Sequence, residues 1–507
     1  MDKVMLSLIT FSPLIGILLL AFIPKERSQA IKGVGMIVPV IPLMLSIYLY
    51  FKYFLDSGNR LVETLHWLTF RIPVNGPMGR NIIEVPINYE LAADGLSMAL
   101  VVMTAIIGLL AAFATYHIRM RLKEFFVLFF ILQIGMFGVF MAQNLILFFL
   151  FFELTLIPTF FLIGIWGYRD REKAANSFLI YNGVGSAIML IAFVALFIKA
   201  GTLDIDQIHA NLVDMASYGV ISDTFRWGTF IALLIAFGIK LPIFPFHSWM
   251  LKVHVQAPPA IVMIHSGVLL KMGAYGLIRF GYGFFPDLVK DWSTVIAVLG
   301  LINILYGAIL AFVQRDLKMV LAYSSISHMG IVLFGIAALN DEGFQGAIFQ
   351  MVSHGFISAL MFFIIGVIYE RTETSYMNEL GGLARSMPFV SGILLAAAMA
   401  SLGLPLMSGF ISELQAFLGI FKTDMKVIAA LGALGLIFTA AYLLRAVLRT
   451  TFGPTPEAWQ GLTDAKPMEV IPMIVLLGFI VLIGVFPSVL SVSLQSTITD
   501  LLSRIGG

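Results

Sequence analysis

The sequence predicts an all-α integral membrane protein with about 14 transmembrane helices, two of them broken. Three observations carry that expectation. Of the 507 residues, 60% are hydrophobic, 12% are charged and mean hydropathy is +0.97, whereas a soluble chain carries about 25% charged residues. Runs of about 20 apolar residues, enough to cross a bilayer core, recur along the whole chain. Four ionisable residues lie inside such runs: Glu153 in LFFLFFELTLIP, Lys240 in LLIAFGIKLPIFPF, Lys271 in VLLKMGAYGLI and Glu413 in SGFISELQAFLGI. Each costs roughly 2.5–3.5 kcal/mol at the centre of a membrane helix. Four together imply an ion or proton route through the membrane.

Taken in order, the run at 4–23 lacks a small-residue cleavage site and reads as a permanent helix rather than a removed signal. Runs at 31–54 and 92–116 follow, separated by a polar insertion at 55–90 whose Asn, Gly and Pro residues predict a short hairpin. Spans near 124–142, 145–166, 174–199, 227–250 and 259–282 make a first block of five. Spans near 292–313, 318–339, 344–369, 387–420 and 427–450 make a second, and 470–495 closes the set. The insertion 200–226, with Asp204, Asp206, Asp214 and Asp223, predicts a short surface helix, and 451–469 is a third polar connection.

In each block the fourth helix is interrupted by proline beside an ionisable residue: Lys240 with Pro242 and Pro245, and Glu413 after Pro405 and Gly409. Five is an odd number, so the second block is expected to sit inverted relative to the first. Interrupted helices at matching positions of inverted repeats point to a transport site. The expected organisation is residues 1–123 for helices 1–3 and an outward loop, 124–283 and 284–450 for the two repeats, and 451–507 for a last loop and helix. Lysine and arginine concentrate in the connections after odd-numbered spans, as in Arg119, Arg121 and Lys123, or Arg169, Arg171 and Lys173. Those connections are therefore expected to face the cytoplasm, with both termini outside.

Proline lacks an N–H and clashes with the carbonyl four residues back. Pro242 should free the carbonyl of Gly238, and Pro245 that of Leu241. Freed carbonyls survive at membrane depth only under protein or water, so a hydrated break is expected beside Lys240. Burial disfavours the ammonium and a nearby carboxylate favours it. A lysine whose partner approaches or withdraws can thus take up or release a proton. Glu153 is the expected partner, and the competing reading is a static ion pair.

Lys271 has small neighbours, Gly267, Gly273, Ala274 and Gly276, and stands too deep to snorkel. His328 in YSSISHMGIV and His354 in FQMVSHGFIS occupy consecutive spans. Imidazole both donates and accepts protons near neutrality, which suits a relay; hydrogen-bonded packing is the plainer alternative. His247, His254 and His265 cluster around the connection after the first break as possible proton access, with no carboxylate or cysteine beside them to favour a metal. The chain has no cysteine, which removes iron–sulfur ligation. No phosphate loop or dinucleotide fingerprint occurs, and charges scattered among loops give no nucleic-acid surface. GVGSA at 183–187 reads as close helix packing.

These stretches resemble the antiporter-like membrane subunits of proton-pumping NADH–quinone oxidoreductase (respiratory complex I). The likeness covers essentially the whole chain and is most specific in FFELTLIP, KLPIFPFHSWM, LLKMGAYGLIRF, YSSISHMG and MVSHGF. It implies that Glu153 and Lys240 form an input ion pair, that Lys271 is the central lysine, and that His328 and His354 connect it to Glu413 at the output. Glutamate at 413 and the short C-terminus match the M type, because L- and N-type chains and Na+/H+ antiporter subunits carry lysine there. One stretch departs. The usual W-L-P-D-A-H-x-E-A-P-T run is here WMLKVHVQAPP (249–259), without its two acidic residues, and His265 stands where a relay residue is expected.

The resemblance implies a proton-translocating subunit in a prokaryotic plasma membrane, coupled to quinone reduction and holding no cofactor itself. Flavin, iron–sulfur clusters, quinone and NADH or another donor would belong to partners: L-like and N-like chains and a peripheral redox arm. The alternatives are a subunit of a multi-subunit Na+/H+ antiporter and a scaffold with vestigial charges.

Overall fold

The computed structural model describes residues 4–55, 60–76, 79–217 and 220–506. Helix α1 (Met5–Phe11) meets α2 (Pro13–Phe22) at a 42° bend, where Pro13 opens the second helix. Helices α3 (Ser28–Ile37) and α4 (Val40–Leu55) run on as one span. The expected hairpin is present but long: β1 (Leu61–Gly76) pairs antiparallel with β2 (Gly79–Ala93), from Leu61 opposite Ala93 to Gly76 opposite Gly79. Buried Glu63 anchors it by accepting the Leu6 and Ser7 N–H groups at the start of α1.

Four helices follow: α5 (Gly95–Phe113), α6 (Leu122–Met141), α7 (Leu145–Trp166) and α8 (Arg171–Ala200). Asp94 and Asn144 cap α5 and α7 through their side chains, satisfying otherwise orphaned N–H groups. The expected surface helix is α9 (Ile205–Ser217), which buries Ile205, Ile208 and Leu212. The first broken span is α10 (Asp223–Lys240) with α11 (Ser248–Gln256). Next, α12 (Pro259–Ile264) and α13 (Leu270–Gly276) join through π-helical turns at His265–Leu269 and Leu277–Tyr282 into one span, Pro259–Tyr282.

The second half comprises α14 (Pro286–Val313), α15 (Leu317–Ala337), α16 (Asp341–Thr372) and the single turn α17 (Leu383–Ser386). The second broken span is α18 (Pro388–Ser401) with α19 (Ser408–Phe421). Three helices end the chain: α20 (Lys426–Thr451), α21 (Pro467–Val485) and α22 (Ser488–Gly506).

Among the described residues, eleven helices are long and apolar enough to cross a membrane, or twelve with the bent α1–α2 pair. The count of 14 is not met on that measure. The difference falls at the two breaks: α18 and α19 are each too short, and α10 carries Asp223, Arg226 and Lys240 within its 18 residues.

Burial sorts the spans. The most apolar stretches of Pro259–Tyr282 and of α16 lie wholly inside the protein, whereas those of α3–α4 and α20 are 33% buried and present their apolar faces outward. Side chains that lipid would penalise therefore sit on helices that protein surrounds. Two glycines bring these central spans together. A Cβ on Gly355 of α16 would stand 3.0 Å from the Gly267 carbonyl, and one on Gly267 would stand 3.3 Å from the Gly355 carbonyl.

The first break differs from the expectation in one respect. The Gly238 carbonyl is not left free: it accepts from the Ile243 N–H at 2.8 Å, because the chain turns back on itself after Pro242. Asn303 of α14 satisfies more of the same backbone, accepting from Phe244 N–H at 2.8 Å and donating to the Pro242 carbonyl at 3.3 Å. Trp249 Nε1 donates to the Ile239 carbonyl at 3.1 Å. Protein groups thus satisfy this part of the break.

Candidate functional site

Lys240 ends α10 with its amine over two aromatic rings, 5.0 Å from the centroid of Phe152 and 5.5 Å from that of Phe178. Such cation–π contacts are worth about 2 kcal/mol or more when desolvated. Glu153, one residue along from Phe152 on α7, does not reach it. Among the described residues no ion pair within 4.0 Å joins Glu153 to Lys240, whose amine faces rings instead, and Glu153 Oε1 is buried without a protein hydrogen-bond partner. The expected contact pair is an open one here, with Phe152 against the lysine in place of a carboxylate.

Lys271 is fully buried on α13. It donates to the Ser266 carbonyl, and its Nζ lies 2.8 Å from His354 Nδ1 of α16. Small residues make that meeting possible: Gly267 and Gly355 let the backbones touch, and Gly273 faces Leu241 at the first break, where a Cβ would approach Leu241 N to 2.5 Å. From His354 the line continues to His328 of α15, with ring centroids 5.4 Å apart. His328 Nδ1 stands 3.6 Å from Glu413 Oε1 on α19. Lys271, His354, His328 and Glu413 thus form one buried file linking the first broken span's neighbour to the second broken span.

Glu413 packs against its own break. Gly403, at φ +80°, leaves room for the carboxylate, since a Cβ there would lie 2.6 Å from Glu413 Oε2. Pro405 follows in the turn that separates α18 from α19, and Pro242 and Pro245 occupy the turn between α10 and α11.

The three histidines near the first break do not make a single chain. His254 Nε2 and His265 Nδ1 are 2.9 Å apart, a buried pair enclosed by Trp249, Phe178 and Phe362. His247 points elsewhere and bonds the Tyr306 hydroxyl at 3.1 Å. No group of three or more metal-ligating side chains occurs among the described residues.

Polar partners that sequence reasoning did not single out complete the site. Gln350 lies one turn before His354 on α16; its Nε2 is 3.0 Å from His328 Nδ1 and its Oε1 takes Ser412 Oγ. Ser401, the last residue of α18, bonds His328 Nε2 at 3.2 Å. Serine and glutamine inside apolar runs carry little hydropathy signal, and only packing places them on the histidine.

Two charged clusters mark the span ends. Asp94 holds Arg279, which also donates to Ser97 Oγ at 3.1 Å; Tyr275 bonds the same hydroxyl at 3.2 Å. Toward the opposite end of the fold, Arg371 pairs with Glu469 at 2.7 Å, and the Tyr116 hydroxyl bonds both Glu370 and Glu469. Burial, then those two carboxylates, pushes the Tyr116 hydroxyl well above its ordinary range, so it stays protonated and donates.

A helical bundle with two interrupted spans and a buried lysine–histidine–glutamate file defines a class of membrane protein, the antiporter-like proton-conducting subunits. Residues 142–439 match the family model described as NADH:quinone oxidoreductase/Mrp antiporter, TM, and the chain belongs to that family. It is 37% identical to NAD(P)H-quinone oxidoreductase chain 4 2 of Thermosynechococcus vestitus over 99% of this chain and 92% of that one. To NAD(P)H-quinone oxidoreductase chain 4 of Gloeobacter violaceus it is likewise 37% identical, over 99% and 93%. A chain of respiratory complex I from Thermus thermophilus superposes with a TM-score of 0.84 at 26% identity, over 99% of this chain and 100% of that one. A chain of the Mrp complex from Dietzia sp. shares the fold at a TM-score of 0.83 and 21% identity, over 100% and 99%.

Proposed function

We propose that this chain is a proton-translocating membrane subunit of an NAD(P)H–quinone oxidoreductase, or of a close variant using a similar donor. The observation that carries the reading is the buried file from Lys271 through His354 and His328 to Glu413. Charged or titratable groups in consecutive contact at membrane depth are costly and serve proton movement. The relatives named as quinone oxidoreductase chain 4 and the complex I likeness support the redox partner.

On this reading, residues 124–283 form the input half and 284–450 the output half, with Glu153 and Lys240 controlling the proton affinity of Lys271. Closing the open Glu153–Lys240 pair would stabilise the Lys240 ammonium and, by like-charge repulsion, drive a proton off Lys271 toward His354. His254 and His265 line the access side, with His247 at its edge. Quinone, the nucleotide donor, flavin and iron–sulfur clusters belong to partner subunits, and the neighbours are L-like and N-like chains. Lysine and arginine enrichment in the connections after odd-numbered spans supports a cytoplasmic side there, in a prokaryotic plasma membrane, with both termini outside. The Mrp-type antiporter reading is weaker: glutamate rather than lysine stands in the second break, and that likeness extends to the fold alone.

The test uses inverted membrane vesicles holding the assembled complex, with Lys240→Ala and Lys271→Ala compared with the unmodified chain. Quinone reduction and lumen acidification are recorded together, and assembly is checked by native electrophoresis. We expect intact assembly with both activities reduced by roughly tenfold or more, the scale on which positioned proton-transfer groups act. Normal pumping in both variants would refute the reading.

A further inference from the structure

The contacts around His328 admit two arrangements of protons. Ser412 Oγ lies within hydrogen-bond reach of two acceptors, Gln350 Oε1 and the Gly409 carbonyl, the latter at 2.9 Å, but it has one proton. If it donates to Gln350, the amide N–H of Gln350 faces His328 Nδ1 at 3.0 Å and caps it. The imidazole then carries its proton on Nε2 and donates to Ser401 Oγ at 3.2 Å. If Ser412 instead donates to Gly409, the amide turns over and gives its N–H to Ser412. Gln350 then presents oxygen to a protonated Nδ1. Both arrangements keep the Gln350–Ser412 and Gln350–His328 contacts without moving a backbone atom, and they differ in whether the Gly409 carbonyl receives the Ser412 proton.

Glu413 lies at the edge of this network, its Oε1 buried, 3.6 Å from the same Nδ1 and without a protein hydrogen-bond partner. Gln350 and Glu413 therefore compete for one nitrogen. We propose that Gln350, anchored by Ser412, is the gate that decides when His328 can pass a proton to Glu413.

The cycle balances. The Gln350 amide first turns its N–H off Nδ1, and neutral His328 with Nε2–H then takes a proton at Nδ1 released along the file by His354, becoming imidazolium with the amide oxygen facing it. Glu413 Oε1 takes the Nδ1 proton, leaving neutral His328 with Nε2–H and protonated Glu413. The amide turns back and caps Nδ1, which blocks return. Gln350 touches no substrate other than through His328, so it is a positioning residue. This inference rests on the proton-translocation reading above and assigns it a one-way element.

The experiment compares Gln350→Leu with the unmodified chain in the assembled complex, alongside Ser412→Ala, which removes a single hydroxyl and spares packing. Two quantities are read: protons pumped per electron, and the infrared carboxyl band of Glu413, identified by its loss in Glu413→Gln. Freed of Gln350, His328 Nδ1 should close on Glu413. We expect the carboxyl band to shift or vanish and the protons pumped per electron to fall at least about twofold, whatever the absolute rate of quinone reduction; the general acid–base scale allows far more. Ser412→Ala should move both in the same sense by less. An unmoved band, or a proportional fall of both activities at constant ratio, overturns the gate. Lys271→Ala separates the two proposals: normal pumping there sinks the proton reading, whereas an unmoved band in Gln350→Leu sinks only the gate.

Discussion

At the scale of single residues, backbone freedom and side-chain chemistry meet at Gly403. Its left-handed φ of +80° suits glycine, and the missing Cβ is what admits the Glu413 carboxylate. Gly403→Ala should cost about 1–3 kcal/mol in strain and push Glu413 off its line with His328. Thermal unfolding of the purified complex, read with the pumping assay, checks this; an unchanged midpoint with normal pumping would contradict it. The six ionisable residues of the expected axis were legible because charge inside an apolar run is conspicuous. Gln350, Ser401 and Ser412 were not, because neutral polar residues pass unremarked in a membrane helix until a neighbour gives them a partner. The Glu153–Lys240 pairing was legible as opposite charges within one repeat, but it does not extend to direct contact, and Phe152 is what packs on the lysine.

At the scale of elements, both breaks were visible from proline, yet the way each is closed was not. Asn303 belongs to α14, outside the first repeat, and its two hydrogen bonds hold the turn after Lys240. Asn303→Ala leaves Phe244 N–H without that partner, at a cost of about 1–3 kcal/mol. Amide exchange over residues 241–247 should accelerate, and unchanged protection would show that the turn is held otherwise. The hairpin was expected from its turn-forming composition, and its root carries a pH dependence. Burial, then Asp204, raises the Glu90 carboxyl to about 7. A carboxyl raised in the folded state binds its proton more tightly there than when unfolded. Its contribution to stability is therefore present at low pH and lost as pH rises from about 4.5 to about 7. Protection of the β2–α7 junction should weaken across that window, and Glu90→Gln should flatten the response. A hairpin equally protected at both ends of the window in the unmodified chain would remove Glu90 from the account.

At the scale of the whole molecule, arrangement rather than composition makes a proton path possible. The two most enclosed spans carry Lys271 and His354, and the broken spans flank them, so charge is kept from lipid by a wall of apolar helices. Ion pairs at the span ends tie that wall together. Arg371 and Glu469 are 8% and 0% exposed and join α16 to α21. Arg371→Ala would strand a buried carboxylate, which costs about 3–5 kcal/mol, and should lower the thermal midpoint and the yield of assembled complex. Normal yield and midpoint would show that Tyr116 and the Lys466 N–H suffice for Glu469.

The sequence by itself determined that the chain crosses a membrane many times, that two spans break at proline, and which six ionisable residues lie inside apolar runs. Those properties are local: hydropathy, proline chemistry and the cost of buried charge need no knowledge of neighbours. Which groups touch was decided by the tertiary structure alone. Glycine contacts between α16 and the Pro259–Tyr282 span set Lys271 on His354, α14 supplied the clamp for the first break, and α16 and α19 set Gln350 and Glu413 on the same imidazole nitrogen. A hydrogen bond acts over about 3 Å, and residues that close in space lie 83 positions apart for Lys271 and His354 and as many as 443 apart for Tyr50 and Ser493.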